Sequence, residues 1–258
     1  DLVFAPTSTM KDHLLEQGTK TRISVLPTGL DRVSFQYDEM LSSEIRNMYG
    51  NGCPYLFATT ARLEKEKNLD FLFQGTARLR DILGQDFRLM VIGDGTERRH
   101  LEELARMLGI SRQIVFTGKI ENTRVRHYLN AADAFLFASK SETQGIVLLE
   151  AMAAGCPVAA VRASGVVDVV RPGINGYMTE EAPEAFAAAA ARLVLERGVW
   201  SGMSEEARKT AELYESGRIA ALAAEQYGLM TGQKEDAGYE EHGKGMLVPS
   251  ILRLFKAA

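Results

Sequence analysis

Apolar residues in this chain come in short unbroken runs, at residues 2–5, 23–26, 55–59, 87–92, 113–116, 134–138 and 157–161, with a weaker one at 176–178. Runs of this length without polar alternation are what strands covered on both faces of a parallel sheet look like. Between them, residues 68–83, 97–108, 123–131 and 146–153 carry apolar side chains three and four positions apart, the spacing of helices with one face turned to a core. Regular alternation of the two patterns predicts a doubly wound α/β fold built on a parallel sheet. From 184 to 228 the pattern is helical only, which predicts helices packed on the sheet's flank or reaching toward a partner domain. Residues 231–245 are rich in Gly, Lys, Glu and Asp and read as a linker. Residues 246–258 turn apolar and basic again and read as a short docking segment.

Composition narrows the class. The 258 residues are 46% hydrophobic and 25% charged, a balance that excludes global disorder and leaves ample chain for a core. With 30 basic against 34 acidic residues the net charge of −4 gives no footprint for nucleic acid, so any anion site must be local. Cys53 and Cys156 are too few for a disulfide scaffold and suit a reducing, cytoplasmic compartment. No apolar run approaches the roughly 18–20 residues needed to span a bilayer. The start at Asp1 has neither a signal-peptide pattern nor a Met, and reads as the middle of a longer protein.

In a doubly wound sheet, ligands bind beyond the carboxyl ends of the strands, so each strand-to-helix junction is a candidate site. After the 55–59 run, Arg62 and Lys67 flank a loop; two cations there suit a diphosphate, or else simply balance Glu64 and Glu66. After 87–92, Gly93-Asp94-Gly95 opens like a dinucleotide fingerprint, but Arg98 stands where the third glycine belongs, so a tight turn is the plainer reading and a dehydrogenase is rejected. After 113–116, Gly118-Lys119-Ile120 allows a flat base to approach main-chain groups, or is an ordinary turn. The richest junction runs from Ser139 to Pro157. Glu142 lies in its loop, Gly145 stands near the helix start with free amides beyond it, and Glu150 follows eight positions after Glu142 amid apolar neighbours. A carboxylate in so apolar a stretch either faces solvent or is held for a specific partner. Two carboxylates with helix amides between them can grip polyhydroxyl groups on either side of a phosphate. His13, His100, His127 and His242 are isolated, and no metal site is expected.

Taken together these segments resemble the retaining GT-B glycosyltransferases of family 4, the group 1 glycosyltransferases. Glu142 and Glu150, with Gly145 between and Glu-Ala-Met-Ala-Ala-Gly-Cys-Pro-Val after, are similar to that family's E-x7-E motif. Thr60-Ala61-Arg62-Leu63 through Lys67-Asn68 resembles its phosphate loop. Ile92-Gly93-Asp94-Gly95, Phe116-Thr117-Gly118, Ala132-Asp133-Ala134-Phe135-Leu136 and Val25-Leu26-Pro27-Thr28-Gly29-Leu30-Asp31 fall in its order and spacing. The resemblance implies the Rossmann-like C-terminal, donor-binding domain of a GT-B enzyme over residues 31–230. Residues 1–30 would then be the end of an acceptor domain and the interdomain segment, and residues 231–258 a linker and docking segment.

By the same resemblance Arg62 and Lys67 would neutralise the donor diphosphate, and Glu142 would meet sugar hydroxyls and the charge at the anomeric carbon. Glu150 would hold the ribose, and Gly118, Lys119 and Ile120 the base. Thr143, Gln144, Gly145, Ile146 and Gly93 would complete the donor site, with no cofactor and no metal. The partners implied are a nucleotide-sugar donor and the absent acceptor domain, with peripheral contact at the inner face of a membrane through a lipid acceptor. The implied donor is a UDP-sugar or a GDP-sugar; Ser141-Glu142-Thr143-Gln144-Gly145 is similar to members that glycosylate diacylglycerol, which favours UDP-glucose. Three departures stand out: Ala61 replaces a glycine, Thr143-Gln144 stands where Gly-Phe is common, and Ala163-Ser164-Gly165-Val166-Val167-Asp168 replaces a Gly-Gly-x-x-Glu segment. A binding module without activity, and a GT-B sugar-nucleotide epimerase, are the alternatives.

Overall fold

The computed structural model describes residues 1–231. Six parallel strands form the main sheet: β3 (Tyr55–Thr60), β4 (Phe87–Ile92), β5 (Ile114–Gly118), β6 (Ala134–Phe137), β7 (Val158–Val161) and β8 (Gly176–Thr179), in the order β5-β4-β3-β6-β7-β8. The chain builds outward from β3 through β4 to β5, then returns to the other side of β3 to lay down β6, β7 and β8. The direction of winding therefore reverses between β3 and β6. That reversal opens a crevice at the strands' carboxyl ends, where the loops after β3 and β6 diverge.

Alternate residues of each strand feed two apolar layers. Leu56 and Ala58 of β3 with Phe135 and Phe137 of β6 join α2 (Glu39–Gly50), α5 (Asn122–Asn130), α6 (Ile146–Ala153) and α9 (Arg197–Glu212) on one face. Phe57, Leu89 and Val91 join α3 (Leu69–Leu83), α4 (Arg98–Met107) and α8 (Pro183–Leu195) on the other. Strands buried on both sides explain the unbroken apolar runs. Gly75 of α3 lets that helix approach α8, since a Cβ there would lie 2.7 Å from the Phe186 ring.

Two elements depart from the sequence reading. The helix α2 has no counterpart in it, although Asp38 caps it and Leu41, Ile45 and Tyr49 repeat at helical spacing. The helical stretch after 184 divides into α8, α9 and α10 (Ser216–Thr231), and each has its own partner. The first packs on the sheet, α9 lies along α6, and α10 turns back to the chain's beginning. There β1 (Leu2–Ala5) and β2 (Arg22–Val25) pair in parallel as a separate two-stranded sheet joined by α1 (Ser8–Glu16). The ring of Phe4 meets that of Tyr227 edge-on at 5.6 Å, and Ser24 Oγ donates to Gln226 Oε1 at 3.0 Å. Strand and helix ends otherwise shift by one or two residues; β5, for instance, runs on to Gly118. The docking segment expected at 246–258, and all of the expected linker beyond Thr231, lie outside the described residues.

Candidate donor-binding site

The loop after β3 is shaped by glycines on its neighbour. The N–H of Ala61 donates to the Ile92 carbonyl at 3.1 Å and that of Leu63 to the Asp94 carbonyl at 3.1 Å. A Cβ on Gly93, whose φ is +137°, would fall inside van der Waals contact of the Ala61 carbonyl oxygen. Gly93 is thus committed to the backbone that carries Arg62. At the loop's end Asn68 takes a left-handed conformation at φ 55°, which Asn tolerates, and opens α3. Its Nδ2 donates to the Ala138 carbonyl at 3.2 Å and to Glu181 Oε1 at 2.8 Å, tying the loop after β3 to the end of β6.

Lys67 and Glu142 meet across the crevice: Nζ lies 2.7 Å from Oε1, with only 18% and 21% of the two side chains exposed. Arg62 stands at the rim, 76% exposed, with a loose 3.4 Å contact to Glu66. These residues, with Thr59, Thr60, Ala61 and Val147, line a cavity of about 220 Å³. The Thr60 hydroxyl is buried there without a hydrogen-bond partner among the described residues. Sequence reasoning quoted Thr60 within a motif and gave it no role. Its position as the last residue of a strand beside the winding reversal is the signal that could have singled it out.

Helix α6 borders the same crevice. Gly145 precedes it at φ +69°, where a Cβ would press on Leu148 and the Gly165 carbonyl, at 2.9 and 3.0 Å. No side chain caps this helix; the Leu148 N–H donates to the Gly145 carbonyl at 2.9 Å, and the N–H groups of Ile146 and Val147 are the first-turn amides left for a ligand. Val147 and Glu150, one turn apart, share the helix face that looks outward, while Leu148, Leu149, Ala151 and Met152 are buried. Glu150 lines a recess with Val33, Ser34, Thr123, Arg126 and Leu129. Neither an exposed surface position nor a bonded one describes its side chain: it is largely buried, its carboxylate forms no hydrogen bond or ion pair among the described residues, and burial alone raises its pKa above the ordinary glutamate value. A carboxylate left unpaired in a recess can accept hydrogen bonds from a ligand's hydroxyls. Arg126, which the sequence reading passed over, presents a buried Nε without a partner in the same recess.

The remaining candidates are distributed differently. Gly118 ends β5 at φ +74° and its carbonyl accepts from the Gly93 N–H at 3.0 Å. Lys119 follows it into solvent, while Ile120 is half-buried against the apolar layer beneath α5 and α6. Thr143 is exposed, and its carbonyl accepts a hydrogen bond from Thr7 Oγ1 at 3.3 Å. Gln144 is buried, and its amide group is taken up entirely by Thr28. In the unusual segment 163–168, Ser164 and Gly165 hold the Glu142 carbonyl, whereas Asp168 faces α1.

Two other hollows compete for attention. One of about 300 Å³ lies at the opposite end of the sheet. Its polar groups are already engaged, with Asp133 bonded to Arg46 at 2.9 Å and to the Leu56 N–H at 2.7 Å, and Trp200 Nε1 donating to the Asp133 carbonyl at 2.7 Å. Another, of about 540 Å³, is a surface trough over α3 and α4 that includes the exposed His100–Asp70 pair. Of these three hollows, the crevice at the winding reversal is the one that sets two cations beside an uncapped helix start.

Residues 44–211 match the profile of the family described as glycosyl transferases group 1. The chain belongs to that family. Among relatives of this group 1 glycosyltransferase chain is the alpha-monoglucosyldiacylglycerol synthase of Streptococcus pneumoniae, 34% identical over 167 residues, which are 62% of this chain and 37% of the relative. The sulfoquinovosyl transferase SQD2 of Arabidopsis thaliana is 31% identical over 185 residues, 69% of this chain and 34% of that protein. The chain thus spans little more than a third of the length of these relatives. Among solved structures, the Anabaena protein Alr3699/HepE in complex with UDP superimposes with a TM-score of 0.81 at 20% identity, covering 88% of this chain and 64% of that one. The fold is that of GT-B glycosyltransferases, α/β with the parallel sheet that the alternating pattern predicts.

Proposed function

We propose that this chain carries the donor site of a retaining glycosyltransferase that takes a UDP-sugar, with UDP-glucose favoured. The observation that carries the reading is the surroundings of α6 beside the winding reversal: Lys67 and Arg62 line the crevice at its uncapped start, and an unpaired, largely buried Glu150 lies one turn further along the same helix in an adjoining recess. The diphosphate lies against Lys67, Arg62 and the first-turn amides, and the ribose hydroxyls on Glu150. The base rests along Gly118, Lys119 and Ile120, and the sugar faces Glu142.

In the transfer step the bond from the anomeric carbon to the β-phosphate oxygen breaks, and its electron pair passes to the diphosphate. The acceptor hydroxyl oxygen bonds to the anomeric carbon and its proton is lost to the departing diphosphate. Lys67 and Arg62 stabilise the charge that grows on the leaving group, and the α6 amides, already oriented, add to this without reorganisation. The carboxylate of Glu142 stabilises positive charge at the anomeric carbon. In this reading the chain's own cations do the neutralising without a metal. Among the described residues no cluster of three or more His, Cys, Asp or Glu is arranged to hold one.

A lipid acceptor draws support from the relative named for monoglucosyldiacylglycerol, and a setting at the inner face of a membrane goes with that acceptor in this reading. No helix of the described residues is long and apolar enough to cross a membrane. The acceptor side of the reaction is assigned to a preceding domain, of which residues 1–30 form the last strand-helix-strand. The test is a thermal-shift panel of UDP-, GDP- and ADP-sugars in EDTA, repeated with Arg62→Ala and Lys67→Ala. Stabilisation by the UDP series that falls in both variants is expected. Stabilisation that needs Mg²⁺, or that ignores both substitutions, contradicts the reading.

A further inference from the structure

The loop between β6 and α6 has no strand or helix of its own to hold it, yet it must present Glu142 accurately. The loop after β3 holds its first half through Asn68, Glu66 and Lys67, and the first 30 residues hold its second half. The Thr28 N–H donates to Gln144 Oε1 at 2.7 Å and the Thr28 carbonyl accepts from Gln144 Nε2 at 2.9 Å. This closed pair is almost wholly sealed, Gln144 being 5% exposed. Thr7, which caps α1, donates to the Thr143 carbonyl at 3.3 Å.

A second connection runs through Asp168. Ser8 Oγ and Thr9 Oγ1 donate to its two carboxylate oxygens at 2.5 and 3.0 Å. Asp168 ends the short helix α7 (Ser164–Val167), at whose other end Ser164 Oγ and the Gly165 N–H donate to the Glu142 carbonyl at 3.1 and 3.0 Å. A Cβ at Gly165 would lie 2.6 Å from that same oxygen, so the contact leaves no slack.

We infer that residues 1–30 act as a clamp on the Glu142 loop, with Gln144 and Asp168 as positioning residues. Seating of the N-terminal strand-helix-strand fixes the loop from one side through Thr28 and from the other through α7. Movement of that unit is thereby transmitted to the sugar end of the donor site, and reaches the nucleotide end only through the Lys67–Glu142 pair. The functional consequence rests on the reading of Glu142 as the sugar-facing carboxylate. The mechanical claim does not.

Hydrogen-exchange mass spectrometry of the whole chain separates the two. A Ser8→Ala/Thr9→Ala variant removes only hydroxyls that are remote from the loop, and Gln144→Ala removes the Thr28 pair directly. Exchange across residues 138–146 is expected to rise by about tenfold in each, the effect of losing one or two net hydrogen bonds, with peptides of β3 and β4 unchanged. The double variant should bind UDP no more weakly than the unsubstituted chain while losing the added affinity of UDP-glucose over UDP. Unchanged exchange at 138–146 in the double variant, or a rise shared equally by β3 and β4, overturns the clamp. Failure of the unsubstituted chain to bind UDP counts against the proposed function, and the exchange data still decide the clamp.

Discussion

Glu142→Gln should tighten the binding of UDP while weakening everything that depends on the sugar. In the ligand-free chain the Lys67 ammonium is held 2.7 Å from the Glu142 carboxylate, in a pair four-fifths removed from solvent. An arriving diphosphate must share Lys67 with that carboxylate and also meets its negative charge. Two like charges about 5 Å apart at an effective dielectric of about 20 repel by roughly 3 kcal/mol, and solvent at the open side of the crevice screens part of this. Exposed ion pairs are worth about 0–1 kcal/mol, and this one is better shielded. Removing the competitor is therefore worth about 1–2 kcal/mol to UDP, or roughly 5- to 30-fold in affinity. The neutral amide preserves the side chain's shape and leaves Lys67 free. Isothermal titration of UDP in EDTA, at low and physiological salt, measures the gain directly, and the gain should shrink as salt rises. Sugar transfer, measured with the acceptor-side domain present, should be lost. Weaker UDP binding by Glu142→Gln would refute the reasoning, because it would put Glu142 among the groups that hold the nucleotide.

Lys67→Ala removes a charge-assisted contact worth about 2–3 kcal/mol and should weaken UDP about 30- to 150-fold by the same titration; Arg62→Ala, at the exposed rim, should cost less. Glu150→Gln should weaken UDP about tenfold, the loss of one good hydrogen bond to a ribose hydroxyl. The same substitution should raise the melting temperature at neutral pH. A carboxyl whose folded pKa is raised by burial favours folding below its unfolded value and loses that contribution as pH rises through the folded value. The stabilisation seen in melting curves across pH should accordingly vanish below the ordinary glutamate range and grow above it; an equal gain at every pH would contradict the burial argument. Gly93→Ala forces a Cβ onto the Ala61 carbonyl at a positive φ. A loss of about 3 kcal/mol or more follows, seen as a melting temperature lower by roughly 6–12 °C, together with loss of UDP binding as the Arg62 loop is displaced.

Much of this architecture can be read from the residues because strands covered on both faces leave unbroken apolar runs, and the β3, β4 and β6 runs show this directly. The helix α6 matches its expected bounds because Gly145 and Gly155 bracket it. Helix α2 is harder to see: Leu41, Ile45 and Tyr49 are spread along a polar segment, and its outer face exposes Met40 and Met48, which blurs the apolar stripe. The residues of the crevice could be chosen from junction chemistry, but their states could not. That Lys67 is paired with Glu142 depends on where two loops meet across the winding reversal. That Glu150 is buried and unpaired depends on α5 and the Val33–Ser34 turn closing over it. Gln144 shows the opposite case. Its place in the motif marks it for the ligand, yet long-range packing commits its amide to Thr28, 116 residues away in the chain. Thr60 is marked in the sequence by its place at a strand end, whereas Arg126 becomes noticeable only once burial shows a polar atom without a partner.

The arrangement of the nucleotide in the crevice is most directly tested by a crystal structure of this chain with UDP in the presence of EDTA. The account predicts the diphosphate between Lys67, Arg62 and the first-turn amides of α6, the ribose hydroxyls on Glu150 and the base along Gly118–Ile120. A nucleotide bound in the hollow beside Trp200 or over α3 and α4, or one whose diphosphate avoids Lys67, would contradict it.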